Sequence, residues 1–336
     1  MGRFNPICIV LLASLAVLAL VAVAEGASAS QVGFTRIAVP QPDGVPLPVG
    51  IWYPTDSPAT PHAIGLLQQQ VAENAPVQAG RHALVVMSHG NGGWFGGHLD
   101  TALALAAAGF VVAAPTHAGD NYRDQSHATD LPARPRQIRD TIDAVLTDWS
   151  GRDAVDPDAI GLFGFSSGGL TVLVVAGGVP DLARVAPFCA AHAANYACAL
   201  LRSHPAPIRA DAGWAHDPRI RAVVAAAPAL GFSFGQAGLA GVHAPVQLWQ
   251  ARQDRIEPAP DFVEPVLAGL QRAGTPVEYH DVPGADHWDF LAPCSAALAK
   301  AAPAICGERG GFDRVAFHAG FDAAVVAFFR RTLASP

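Results

Sequence analysis

Residues 159–174 constrain the possible fold of this chain more than any other stretch. Residues 159–163 are short and mostly apolar and read as a buried strand. Gly164, Ser166 and Gly168 then form a G-x-S-x-G pattern, and residues 169–176 continue as an apolar helix. Strand, sharp turn and helix are the context in which this pattern displays a reactive serine. A serine on such a turn adopts strained dihedrals while neighbouring chains pass close to it. Glycines at 164 and 168 remove the Cβ atoms that would clash there. The helix starting near Ser167 aims free N–H groups and a positive dipole end at negative charge developing on a bound oxygen. Ser166 is the candidate nucleophile.

The rest of the chain alternates strand and helix patterns around this turn. Residues 32–39 and 45–53 flank Asp43 and Gly44 and predict an antiparallel hairpin. Residues 54–79, rich in Pro, Gln and Ala, read as surface loop with one short helical turn. Residues 83–87 form a continuous apolar run, the mark of a strand buried on both faces. Further strands are expected at 110–114, 219–225, 245–250 and 276–280. Helices are expected at 98–108, 136–149, 261–273 and 312–333. This predicts an α/β fold with a mostly parallel central sheet and helices on both faces. The long polar loop 116–135 is of a length that usually serves function or moves. Residues 178–218, after the helix that follows Ser166, break the alternation. They read as an insertion over the active site within one domain spanning 30–336.

A serine hydroxyl needs a base to take its proton as it attacks. The base belongs on a loop after the last strand, where Gly284, Ala285, Asp286, His287 and Trp288 follow one another. That position selects His287 over His280 in the strand and His318 in the closing helix. His89, His98 and His117 lie on earlier loops and suit structural roles. An acid must then orient the imidazole. Asp254 follows the strand 245–250, whereas Asp286 is adjacent to His287 and poorly placed to reach the far ring nitrogen. Two N–H donors should hold the oxyanion. Ser167 supplies one, and the glycine-rich loop after residue 87 supplies the other, from Asn91 with Gly90 as the alternative. Trp94, Phe95 and Trp288 flank these loops and are candidates for lining an acyl pocket, or ordinary core aromatics.

Other classes are disfavoured by composition. The net charge is −7 without a basic run, which argues against nucleic acid as a partner. Lys300 is the only lysine, which disfavours a Ser–Lys dyad, a P-loop or a Schiff base. No C-x-x-C or H-x-x-x-H spacing suggests a metal site. Residues 1–29 carry Arg3, an apolar run over 7–23 and small-residue cleavage sites, so they read as a secretory signal peptide rather than a retained anchor. Export to the periplasm or beyond fits the remaining cysteines. These fall into two local pairs, Cys189 with Cys198 and Cys294 with Cys306, which an oxidising compartment would bridge.

Ser88-His89-Gly90, the run from Gly164 to Gly169, Asp254 and the pair Asp286-His287 together resemble the α/β-hydrolase superfamily. More narrowly, they resemble the bacterial predicted dienelactone hydrolases related to platelet-activating-factor acetylhydrolases. Residues 51–54 and 292–294 are similar to that group as well. The resemblance implies an α/β-hydrolase fold and a serine carboxylic-ester hydrolase that needs no cofactor and acts on a small-molecule ester. Two departures narrow it. Dienelactone hydrolases proper use a cysteine where this chain has Ser166, and the acetylhydrolases carry His where it has Phe165, so neither lactone nor phospholipid specificity transfers. An amidase or peptidase with the same three residues is the second reading, and a non-catalytic exported binding protein on a hydrolase scaffold is the third.

Overall fold

Residues 84–87 and 160–165 are apolar without a break because helices cover both faces of the strands they form. In the computed structural model, which describes Gly2 and residues 30–42, 44–205, 213–307 and 310–334, ten strands share one sheet. They are β1 (Gln31–Val39), β2 (Leu47–Thr55), β3 (Thr60–Ile64), β4 (Leu67–Glu73), β5 (His82–Ser88), β6 (Val111–Pro115), β7 (Val155–Phe165), β8 (Ile220–Ala226), β9 (Val246–Ala251) and β10 (Val277–Val282). The order across the sheet is β10-β9-β8-β7-β5-β6-β2-β1-β4-β3. From β10 to β6 every neighbour is parallel. β2 joins β6 antiparallel, and β1 pairs with β2 from Gln31 opposite Thr55 to Val39 opposite Leu47. The expected signal peptide and Asp43 of the first turn lie outside the described residues.

The pleat sorts side chains onto two cores. Leu84, Val86, Leu162 and Val223 face one side with α2 (Ala133–Thr147), α3 (Ser167–Val175) and α6 (Val263–Ala273). Val85, Met87, Phe163, Phe165 and Val224 face the other, with α1 (Leu99–Ala107) and α9 (Arg314–Leu333). Residues 168–175 of α3 are all buried. Burying each of its Leu and Val side chains contributes about 1.5–3 kcal/mol relative to leaving it in water. The shorter helices α4 (Val185–Ala191), α5 (Tyr196–Ser203), α7 (Ala296–Ala301) and α8 (Pro303–Cys306) lie in the connections. The described residues contain no helix long and apolar enough to cross a membrane.

Two expectations need correction. Residues 54–79 are not a loop with a helical turn: they hold the antiparallel pair β3–β4, and β4 pairs parallel with β1. Along β4, Leu67, Gln69 and Val71 point inward and Gln68 and Gln70 outward. Gln69 is tolerated inside because Trp52 Nε1 donates to its Oε1 at 2.8 Å. Helix α2 also starts before residue 136. Pro132 precedes its first residue and Pro135 lies in its first turn, where a missing N–H breaks no helical bond.

Both expected cysteine pairs are bridged, Cys189 to Cys198 on α4 and α5 and Cys294 to Cys306. Each closes a short loop, worth about 3 kcal/mol by chain-entropy arithmetic.

Candidate active site

Ser166 sits at φ +55° and ψ −121°, a conformation a serine rarely adopts, at the junction of β7 and α3. The surrounding backbone holds it there. Its N–H donates to Ala226 O at 2.9 Å, and its carbonyl accepts from Ala229 N at 3.0 Å and Leu170 N at 3.1 Å. The two motif glycines are required by close approach. A Cβ on Gly164 would fall 2.1 Å from Gly168 O, and one on Gly168 would fall 1.9 Å from Ser88 O. Gly90, after β5, packs against the elbow, its hypothetical Cβ 3.3 Å from Ser166 Cβ. The loop 90–92 and the start of α3 therefore converge on Ser166. Among the described residues, the N–H groups of Asn91 and Ser167 have no hydrogen-bond acceptor.

His287 opens a short 3-10 turn after β10, and its ring centroid lies 4.7 Å from that of Phe165, beside the serine. Its Nδ1 is 2.7 Å from Asp254 Oδ2, with both side chains almost fully buried. A carboxylate can only accept, so the ring nitrogen facing it carries the proton and Nε2 keeps its lone pair. Asp254 is fixed in turn through Oδ1, which accepts from the N–H groups of Ile256 at 2.9 Å and Glu257 at 2.7 Å. Asp286 has a different task. It accepts from His287 N at 2.7 Å as the turn's cap, and Arg255 pairs with its other oxygen at 3.0 Å. Trp288 meets the His287 ring edge-on at 5.1 Å.

The loop 90–92 is held from below by a buried network not anticipated from the sequence. Asp120 Oδ1 accepts from Asn91 Nδ2 at 2.7 Å and from Gly92 N at 2.9 Å, while its other oxygen is 3.5 Å from Arg134 Nη1. Arg134 also donates to the His89 carbonyl. His117 Nδ1 meets Gln137 Oε1 at 2.8 Å and Nε2 meets Ser88 Oγ at 2.8 Å, and its N–H donates to His89 Nε2 at 3.0 Å. This fixes the tautomers. His89 accepts at Nε2 and donates from Nδ1 to Gly90 O at 2.7 Å, so it is neutral. Burial and the Arg134 charge lower both His89 and His117 well below the ordinary imidazole range. Burial likewise takes His98 down to about 4. These three histidines are structural. Replacing Asp120 with Ala strands a buried guanidinium, and the expected loss is about 3–5 kcal/mol in a urea titration. A loss under about 1 kcal/mol would mean that Arg134 draws its compensation elsewhere.

A cavity of about 510 Å³ opens beside the elbow, lined by Ser167, Leu170, Ala229, Leu230, Tyr196 and Glu257 among others. Helix α5 closes over it from the insertion. Tyr196 OH donates to Asn91 Oδ1 at 2.5 Å, and Asn195 Nδ2 donates to Ile256 O at 3.2 Å, so one helix end touches both loops flanking the serine. Trp94 and Phe95, expected near the substrate, line a neighbouring hollow of about 1120 Å³ that does not include Ser167. They pack on each other at 5.0 Å, and Phe95 lies 6.1 Å from Trp52 of β2.

Residues 71–222 match the family model described as the dienelactone hydrolase family. That family is part of the α/β-hydrolase superfamily, and over this span the chain is similar to it. No curated protein matches the hydrolase chain significantly. The matched span of the hydrolase contains Ser166 and the loop 90–92 but ends before Asp254 and His287. Those two join the site through geometry alone.

Elsewhere in the hydrolase, Asp100 of α1 and His318 and Asp322 of α9 each bring one ligand atom within 4.8 Å of the others. His318 Nδ1 is already paired with Asp100 Oδ2 at 2.6 Å, and Nε2 faces Asp289 O at 2.8 Å. Burial alone would lower His318, but the Asp100 hydrogen bond and charge hold it above its ordinary value. Burial and the Asp100 charge push Asp322 up to about 7. A carboxyl raised on folding stabilises below its unfolded pKa and loses that contribution as pH rises through its folded one. The Asp322→Asn variant is therefore expected to gain on the wild type as pH rises from about 4 to about 8. Paired urea titrations across that range check this, and a difference flat in pH contradicts it.

Proposed function

We propose that the protein is an exported serine hydrolase of carboxylic esters working through a Ser166–His287–Asp254 triad. The observation that carries this reading is the strained Ser166 backbone at φ +55° and ψ −121°, with a buried His287–Asp254 pair packed against the ring of the adjacent Phe165. Ser166 Oγ attacks the ester carbonyl while His287 Nε2 takes its proton, and Asp254 steadies the imidazolium. The N–H groups of Asn91 and Ser167 receive the oxyanion. His287 then protonates the departing alkoxide. Water, activated by the same nitrogen, releases the acid and frees Ser166. In the insertion 178–218, of which 206–212 lie outside the described residues, helix α5 acts as a lid over the alcohol or acyl group, which its contacts to Asn91 and Ile256 support. Two disulfides support an oxidising compartment.

The test is turnover of matched 4-nitrophenyl butyrate and butyryl 4-nitroanilide. Ester hydrolysis with the anilide slower by orders of magnitude is expected. Comparable rates on both would make the protein an amidase.

A further inference from the structure

The cavity beside Ser167 contains one buried polar group that neither the triad nor the loop network uses. Glu257, 2% exposed, lines it three residues beyond Asp254. Its N–H is spent on Asp254 Oδ1, and its carboxyl oxygen Oε2 is buried with no hydrogen-bond partner among the described residues. An unpaired buried acid is disfavoured unless something arrives to complete it. The aliphatic neighbours Leu170, Ala229 and Leu230 offer no such group. A bound substrate would.

We propose that Glu257 sets the substrate class, selecting esters with a hydroxyl or carbonyl oxygen in the chain that enters this cavity over their all-hydrocarbon isosteres. This rests on the serine-hydrolase reading above. Burial and the Asp254 charge hold Glu257 well above the ordinary carboxylate range, which favours its neutral form. A neutral carboxyl donates through O–H and accepts through C=O, matching a hydroxyl or carbonyl oxygen. A site built around such a bond discriminates more strongly than an apolar pocket does, because the analogue lacking the oxygen leaves the acid unpaired. A cationic chain would instead require two buried carboxylates, Asp254 and Glu257, to be ionised together.

The test is the rate of covalent labelling of Ser166, by mass spectrometry, with three ethyl 4-nitrophenyl phosphonates. Their chains are pentyl, the isosteric 4-hydroxybutyl, and a trimethylammonium-terminated analogue. The hydroxyl reagent is expected to label the wild type about tenfold or more faster than the pentyl one. Glu257→Gln, which keeps a donor and an acceptor in the same shape, should preserve that preference, and Glu257→Leu should bring the ratio to near one. Equal wild-type rates overturn the proposal without any variant, as do a preference surviving in Glu257→Leu and a preference for the ammonium reagent. Failure of all three reagents to label folded wild type would instead overturn the serine reading on which it rests.

Discussion

Replacing Ser166 with Ala is expected to lower ester turnover by about 10⁴-fold or more, leaving the residual rate that oxyanion donors and binding alone provide. The substitution removes the bond-forming atom and little else. The Ser166 N–H and carbonyl contacts to Ala226, Ala229 and Leu170 are backbone contacts and survive it. Alanine must still adopt the positive φ, but so does serine, and the thermal midpoint should move little. Removing the base should cost about as much as removing the nucleophile, and removing both little more than either, because the residues act as a unit. Steady-state kinetics on Ser166→Ala, His287→Ala and the double variant check this. Additive losses would mean that Ser166 and His287 do not serve one step.

Replacing Gly168 with Ala is expected to damage the fold and the site together. The added methyl would lie 1.9 Å from Ser88 O, 2.6 Å from Ser88 C and 2.9 Å from His89 O, all backbone atoms that cannot rotate away. Either α3 retreats or the end of β5 does. Overpacking usually costs about 1–3 kcal/mol, and a backbone-on-backbone clash belongs at the top of that range or above it. Because Ser88 leads into the loop carrying Asn91, the shift also spoils the oxyanion geometry, where a displacement of about 1 Å costs about 100-fold in rate. Gly320 is the control. It is an exposed position within α9 with nothing within 4 Å of a hypothetical Cβ, and its change to Ala should stabilise by about 0.5–1 kcal/mol. Urea titrations of both variants decide the matter, and a Gly168→Ala protein as stable as wild type would contradict the packing described.

The elements that position the site were legible in the sequence because their signals are local. A G-x-S-x-G between an apolar strand and an apolar helix, and a histidine and an aspartate each just past a strand, are readable without tertiary knowledge. What escaped reading depends on distant partners. Gln69 looks like loop composition until Trp52, 17 residues earlier, supplies the N–H that lets it face inward. Asp120 and Arg134 both lie in the stretch 116–135 that reads as polar loop, and only the folded chain brings them under Asn91 and His89. Glu257 gave no sequence signal beyond its distance from Asp254. Trp94 and Phe95, which the sequence left open between an acyl pocket and core packing, adjoin the loop 90–92 in sequence but lie in the hollow beside β2.

Every step of the proposed reaction depends on Ser166 being an activated nucleophile. Incubating the purified protein with a fluorophosphonate and identifying the modified peptide by mass spectrometry tests it most directly. One stoichiometric adduct is expected, on Ser166, formed at a rate that collapses in His287→Ala. A protein shown folded by circular dichroism that stays unlabelled, or that carries its adduct on another serine, would contradict it.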